Sequence, residues 1–255
     1  MKRWIIPAAA AFVSVAGGCS SELPRLDAPI DWAQREQDRK DQDNLFEDIV
    51  GNPKRWAQGN YSGLGFSSGG RAEDGTPVWI ETVRAWVAEG VTQRNGVTWE
   101  WTALLRNLDG NGDPQQTPDG NTDRITVLLS ADGVRVVDEG YTDYEADLSW
   151  TAFADITGLG TGTLAVFGGG TMDGTYLENG EETDVSAEFV FDATVPETGN
   201  ACPSGGYEGR MDLWRIVGSL DAAGEEVDWV AYELPVEQGD QPIDSGSDPF
   251  DCEEI

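Results

Sequence analysis

The chain has 255 residues, with 47 Asp and Glu against 16 Lys and Arg and no His, so its formal charge is −31. A polyanion of this strength lacks the basic surface that phosphate contacts require, which excludes nucleic-acid recognition. The absence of His excludes Ser–His, Cys–His and His-ligated metal mechanisms.

Lys2 and Arg3 precede an apolar run from Trp4 to Val15, followed by Ala16, Gly17, Gly18 and Cys19. A basic head, a short apolar segment and small residues before a cleavage point make a secretory signal. The 15 residues Trp4–Gly18, with Pro7 among them, fall short of the roughly 20 needed to cross the hydrocarbon core as a helix. The Ala16-Gly17-Gly18-Cys19 ending resembles the lipobox of bacterial lipoproteins, with Ala16 where Leu is commonest in that family. The resemblance covers only about the first 20 residues. It implies that residues 1–18 are removed, that Cys19 carries a diacylglyceryl group, and that the new amino terminus is acylated. With Ser20 after the Cys, where Asp would signal inner-membrane retention, it implies delivery to the outer membrane. One acyl chain binds a membrane marginally, whereas two or three anchor it stably. Cleavage removes Lys2 and Arg3 and no acid, so the mature body is still more anionic and is repelled by anionic lipid and by its own copies. A monomer is expected, held at the membrane by lipid alone.

Residues 19–51 are expected to form a lipidated tether and one N-terminal helix. Pro24 and Pro29 mark the tether, Asp31 is positioned to cap a helix over Asp31–Val50, and Gly51 with Pro53 reads as its stop. A Gly- and Ser-rich connector, Gly59–Gly75, reads as loop.

Beyond Pro77 the pattern changes to period two. Val97, Trp99, Trp101, Ala103 and Leu105 alternate with Thr98, Glu100 and Thr102; Tyr144, Ala146, Leu148, Trp150 and Ala152 with Glu145, Asp147, Ser149 and Thr151; and Val185, Ala187, Phe189 and Phe191 with Ser186, Glu188 and Asp192. Each reads as a strand with one dry and one wet face. Further strands are expected near 78–88, 125–129, 134–138, 163–167, 172–177, 208–217 and 227–234. Asn179-Gly180 is a two-residue hairpin signal. Ala131-Asp132-Gly133 and Ala222-Ala223-Gly224 fit three-residue hairpins. Ten strands joined by tight turns, without intervening helical period, predict an all-β fold over residues 52–236: an antiparallel meander closed as a barrel or folded as a sandwich. An outer-membrane barrel is excluded by the dense Asp and Glu on one face of every strand. Residues 237–255 read as an acidic, turn-rich tail.

Three cysteines are present. With Cys19 assigned to lipid, Cys202 and Cys252 are expected to form a disulfide in an oxidising compartment, closing a loop of about 50 residues worth roughly 4 kcal/mol in the chain-entropy model.

The one candidate metal site is Asp109-Gly-Asn111-Gly-Asp113 followed by Asp119-Gly-Asn121-Thr-Asp123. Oxygen ligands on alternate residues of a Gly-rich loop suit Ca²⁺, with Asp109, Asn111, Asp113, Asp119 and Asp123 as ligands; the plainer reading is a polar inter-strand loop built of ordinary turn residues. The first run resembles the opening of EF-hand and dockerin-type calcium loops. It departs from them at Pro114, where the sharp-turn Gly belongs, and at Gly120, in place of the bidentate Glu. Strand-borne Trp99, Trp101, Trp150, Trp214 and Trp229 would suit sugar stacking if exposed, and a core if not. Clusters such as Glu178, Glu181, Glu182 and Asp184 follow from composition. No nucleophile elbow, phosphate loop or Cys-x-x-Cys pair occurs. The expectation is a non-catalytic, lipid-anchored envelope module for binding or structure, with no required cofactor. The alternatives are a lipocalin-like small-ligand carrier and a carbohydrate-binding protein with a calcium loop.

Overall fold

Strands dominate because apolar side chains recur at every second position over long runs, which is the period of a pleated ribbon with one buried face. The computed structural model describes residues 52–65, 76–94, 97–138, 143–178, 181–199, 202–211, 214–220, 226–234 and 240–249. The signal segment, Cys19, the expected helix Asp31–Val50, the Ala222-Ala223-Gly224 turn and Cys252 lie outside the described residues.

Among the described residues there are twelve strands: β1 (Val78–Ile80), β2 (Ala85–Arg94), β3 (Val97–Asp109), β4 (Pro114–Gln115), β5 (Thr122–Asp138), β6 (Asp143–Thr157), β7 (Thr163–Glu178), β8 (Glu181–Pro196), β9 (Ser204–Met211), β10 (Trp214–Leu220), β11 (Glu226–Glu233) and β12 (Asp244–Pro249). They form one sheet in chain order, with the two-residue β4 set aside on β3, and neighbours pair antiparallel. This is the expected all-β antiparallel meander. The described ladder runs from β1 to β12 without returning to its start, so among the described residues the sheet is open, with the buried hydrophobic cluster on its dry face.

The dry face is organised by large residues set opposite small ones. Gly90, Trp101, Ala131, Trp150, Met172 and Ala187 follow one another across β2, β3, β5, β6, β7 and β8. Elsewhere Trp99 faces Gly133, Phe191 faces Gly168, Tyr207 faces Gly218 and Trp229 faces Gly246. Complementary volumes let rings lie flat over the neighbouring backbone, so the layer fills without strain.

This arrangement overturns one expected turn. Ala131-Asp132-Gly133 is mid-strand in a continuous β5, because Gly133 provides the floor for the Trp99 indole: a Cβ there would stand 2.6 Å from Trp99 Cε3. Gly168-Gly169-Gly170 is likewise inside β7. The expected strand 208–217 is two strands, with Met211 and Trp214 paired across a two-residue connection that no Gly or Pro announces. By contrast Glu178 pairs with Glu181, leaving residues 179 and 180 as the connection, as their Asn-Gly sequence requires. The tail does not stay free of the sheet. β12 pairs with β11 because Ser245, Gly246 and Ser247 are small enough to lie against it, with Gly246 against the Trp229 ring.

Residues 52–57 are helical, where Gly51 and Pro53 had suggested a stop; proline is equally at home in a helix's first turn. The helix ends in a Schellman cap. Asn60 N donates to Arg55 O at 2.9 Å and Gly59 N to Trp56 O at 3.0 Å, with Gly59 at φ 77°, the left-handed geometry that favours glycine. Trp56, Tyr61 and Leu64 then enter the core, plugging the end of the sheet that carries the β3–β5 loop. Tyr61 stacks on Trp86 with ring centroids 4.8 Å apart, and Asn107 Nδ2, in a residue with no exposed surface, donates to Tyr61 Oη at 2.8 Å. Burial raises the Tyr61 pKa, keeping the phenol neutral and able to donate to Gln116 O at 3.3 Å. Asn107→Ala is expected to lower unfolding free energy by about 1.5 kcal/mol, because it leaves buried partners unsatisfied. Urea denaturation of the two proteins measures this, and equal midpoints would refute the latch.

Candidate functional site

The calcium-type loop connects β3 to β5, and two of its carboxylates, those of Asp109 and Asp119, accept from the loop's own backbone. Asp109 Oδ1 accepts from Asn111 N and Asp113 N, both at 2.9 Å. Asp119 Oδ1 accepts from Asn121 N at 2.7 Å, and Thr122 Oγ1, which donates to Gln115 Oε1 at 2.9 Å, accepts from Asp119 N at 2.8 Å. These are the hydrogen bonds with which Asp builds turns. The backbone N–H of Asp113, ahead of burial and the other loop amides, holds the Asp109 carboxyl below the usual carboxylate range. Asn111, Asp113 and Asp123 are exposed around it. Among the described residues no three Asp, Glu, Cys or His groups converge on a common point.

A second anionic contact fixes the neighbouring β6–β7 loop. Gly158, Gly160 and Gly162 have φ of 84°, 75° and 90°, and a run with such glycines turns its N–H groups inward as an anion cradle. Glu197, just beyond β8, fills it: its carboxylate accepts from Gly160 N at 2.8 Å and Gly162 N at 3.1 Å. Both anionic devices at this end of the sheet therefore brace loops.

Trp99, Trp101, Trp150 and Trp229 are buried on the dry face, so none presents a ring for stacking on a ligand at the surface; Trp214 opens β10. Glu178 and Glu181 flank the β7–β8 connection and Asp184 is exposed beyond it. Cys202 is disulfide-bonded, and its partner falls outside the described residues. Cys202 precedes β9 at the same end of the sheet at which β12 finishes, since Ser204 lies by Thr194 and Glu226 pairs with Pro249.

The wet face holds a feature that period-two reading passed over. Val78, Val87, Leu104, Leu128 and Phe153 are successive cross-strand partners. The row continues through Gly169 to Val190, then through Glu208 to Val217 and Val230. It is an apolar belt at right angles to the strands, on the side away from the core. Phe153 is buried yet stands outside the core cluster; it lies opposite Gly169 and meets Phe167 edge-on at 5.8 Å. The signal was present as apolar doublets inside alternating strands, Leu104-Leu105, Leu128-Leu129 and Val166-Phe167, where a strictly one-sided strand would have a polar residue.

Glu208 is the acid within the belt, and it is neutralised in place. Arg215 Nη2 lies 2.9 Å and Arg210 Nε 2.7 Å from its carboxylate, and Arg215 stacks over Tyr232 at 5.8 Å. The hydrogen bond from Arg215, then that from Arg210, depresses the Glu208 pKa against the opposing effect of burial. A depressed folded-state pKa gives stability that is present above the unfolded value and lost as pH falls through the folded one. Wild-type stability is therefore expected to decline below about pH 4, and Glu208→Gln to flatten that limb. Unfolding midpoints taken across acid pH test this, and parallel profiles would contradict it. Asp155, beside the belt, has the opposite sign: burial raises its pKa against the pull of Arg124, so its ionisation costs stability as pH rises.

No protein-family model matches the chain, and no curated protein or solved structure was found to match it.

Proposed function

We propose that this protein is a non-catalytic binding or structural module of the bacterial envelope, fastened to the outer membrane by acyl chains on Cys19. The carrying observation is the Lys2-Arg3 head, apolar run and Ala16-Gly17-Gly18-Cys19 ending set in front of a sheet whose strands bury one face. A body that buries most of its large apolar side chains, in a chain of formal charge −31, is repelled by anionic lipid, so covalent lipid supplies the attachment. The disulfide of Cys202 is assigned to Cys252, with Cys19 taken by lipid. The protein acts as a monomer, without nucleic acid.

A core occupied by Trp99, Phe189, Phe191 and Met172 favours a module over a lipocalin-like carrier, which needs an apolar void. Buried indoles likewise favour it over a sugar-stacking protein. A calcium role for the Asp109–Asp123 loop draws support only from its composition.

Incorporation of labelled fatty acid, read with the mass of the mature amino terminus, tests the anchor. Acylation of the wild type, and its loss with release from the membrane fraction in Cys19→Ser, is the expected pair of results. A mature wild-type chain free of fatty acid would overturn the proposal.

A further inference from the structure

We propose that the wet-face belt is the docking surface for a cationic amphipathic helix of a partner polypeptide. The proposal rests on the binding-module reading, though not on the anchor. Three observations carry it. The belt is continuous and apolar from Val87 through Leu104, Leu128 and Phe153 to Val190, and it crosses β2, β3, β5, β6, β7 and β8. Val190 in the belt is 39% exposed and Phe167, in the adjoining row of the same face, 42%, although solvated strand faces ordinarily carry polar residues. Acids outnumber bases along its margins: Asp155 and Asp192 share the next row toward the β3–β5 loop with Arg106 and Phe167, while on the other side Glu89 and Glu188 end the next row and Glu100, Asp132 and Asp173 lie two rows away.

The geometry selects the partner. Six strands at about 4.8 Å spacing make a stripe roughly 24 Å long, which matches about 16 residues of helix at 1.5 Å per residue. Same-face rows stand about 7 Å apart along the strands, so a helix about 10–12 Å across would rest its apolar stripe on the belt. Its lateral Lys or Arg side chains would then reach the acidic rows. The intervening row toward the hairpin end is short and uncharged over its middle four strands, Thr102, Ser130, Thr151 and Thr171, with Glu89 and Glu188 at its ends, and leaves room for those side chains. An anionic lipid surface or an acidic partner would meet an excess of like charge, concentrated on the margin of Glu89, Glu100, Asp132, Asp173 and Glu188. A second copy of this chain would bring two strongly negative bodies together.

The test titrates the folded protein with an 18-residue Leu/Lys peptide of helical apolar period, a scrambled peptide of the same composition, and oligolysine of equal charge, at about 150 mM salt. The periodic peptide is expected to bind at least tenfold more tightly than either control. Phe167→Ser and Val190→Ser, with unchanged circular dichroism, are expected to remove that advantage, whereas Val83→Ser, at the β1–β2 turn, keeps it. Equal binding of all three peptides, or none, would overturn the proposal. So would belt-dependent binding of the unacylated protein to lipid vesicles, or belt-dependent dimerisation in high salt, without peptide selectivity. None of these outcomes bears on acylation at Cys19.

Discussion

Phe189→Ala is expected to lower the unfolding free energy by about 4 kcal/mol, the range for removing a large buried ring. Phe189 is 1% exposed and stands between two glycines, Gly170 on β7 and Gly209 on β9. Its only ring neighbours among the described contacts are Phe191, 6.0 Å away, and Tyr207, 5.4 Å away. Glycines have no side chain with which to close the gap, so the hole cannot collapse. Urea unfolding with linear extrapolation reads the change. A loss below about 1 kcal/mol would mean that the layer relaxes, contrary to the packing of a filled interior. Phe189→Leu, which keeps much of the volume, should recover part of the loss and so separate a cavity effect from misfolding.

Gly133→Ala is expected to cost about 3 kcal/mol by the reverse mechanism. The added methyl would stand 2.6 Å from Trp99 Cε3 and 2.7 Å from Cζ3, and Trp99 has no exposed surface into which it could swing. Overpacking of this kind usually costs about 1–3 kcal/mol, and a ring with no free side places it at the upper end. Gly120→Ala is the control, since a Cβ there has open space. It should leave stability unchanged or raise it slightly. Equal midpoints for the two variants would remove the basis for pairing rings with glycines across this sheet.

Those glycines also mark where the fold was legible in the sequence and where it was not. Strands such as β3 could be read because Val97, Trp99, Trp101, Ala103 and Leu105 fall on every second position. Gly133 looked like part of a turn because glycine within a strand is locally unfavourable, and only the ring on the neighbouring strand explains its presence. That ring is far away in the chain, so no local pattern records it. The β9–β10 connection was hidden for the opposite reason, since its two linking residues are neither Gly nor Pro. At the surface, the alternation reading named only polar residues on the wet faces and passed over Leu104 and Leu128. The belt they begin becomes visible only once cross-strand register places them side by side. The Asp109–Asp123 loop was found in the right place, but composition alone does not distinguish a carboxylate that waits for a cation from one that holds its own turn.

The order of strands in space follows their order in the chain, with β4 alone off the path. Each ladder beyond β1 therefore needs only a short segment to be looped back, the longest described connection being that between β3 and β5. The entropic cost of closing each loop is small and is repaid by the pairing it permits. Long-range searching, which slows most large sheets, is replaced by stepwise addition of one strand to the last, so assembly of this sheet can advance along the polypeptide as a zipper does.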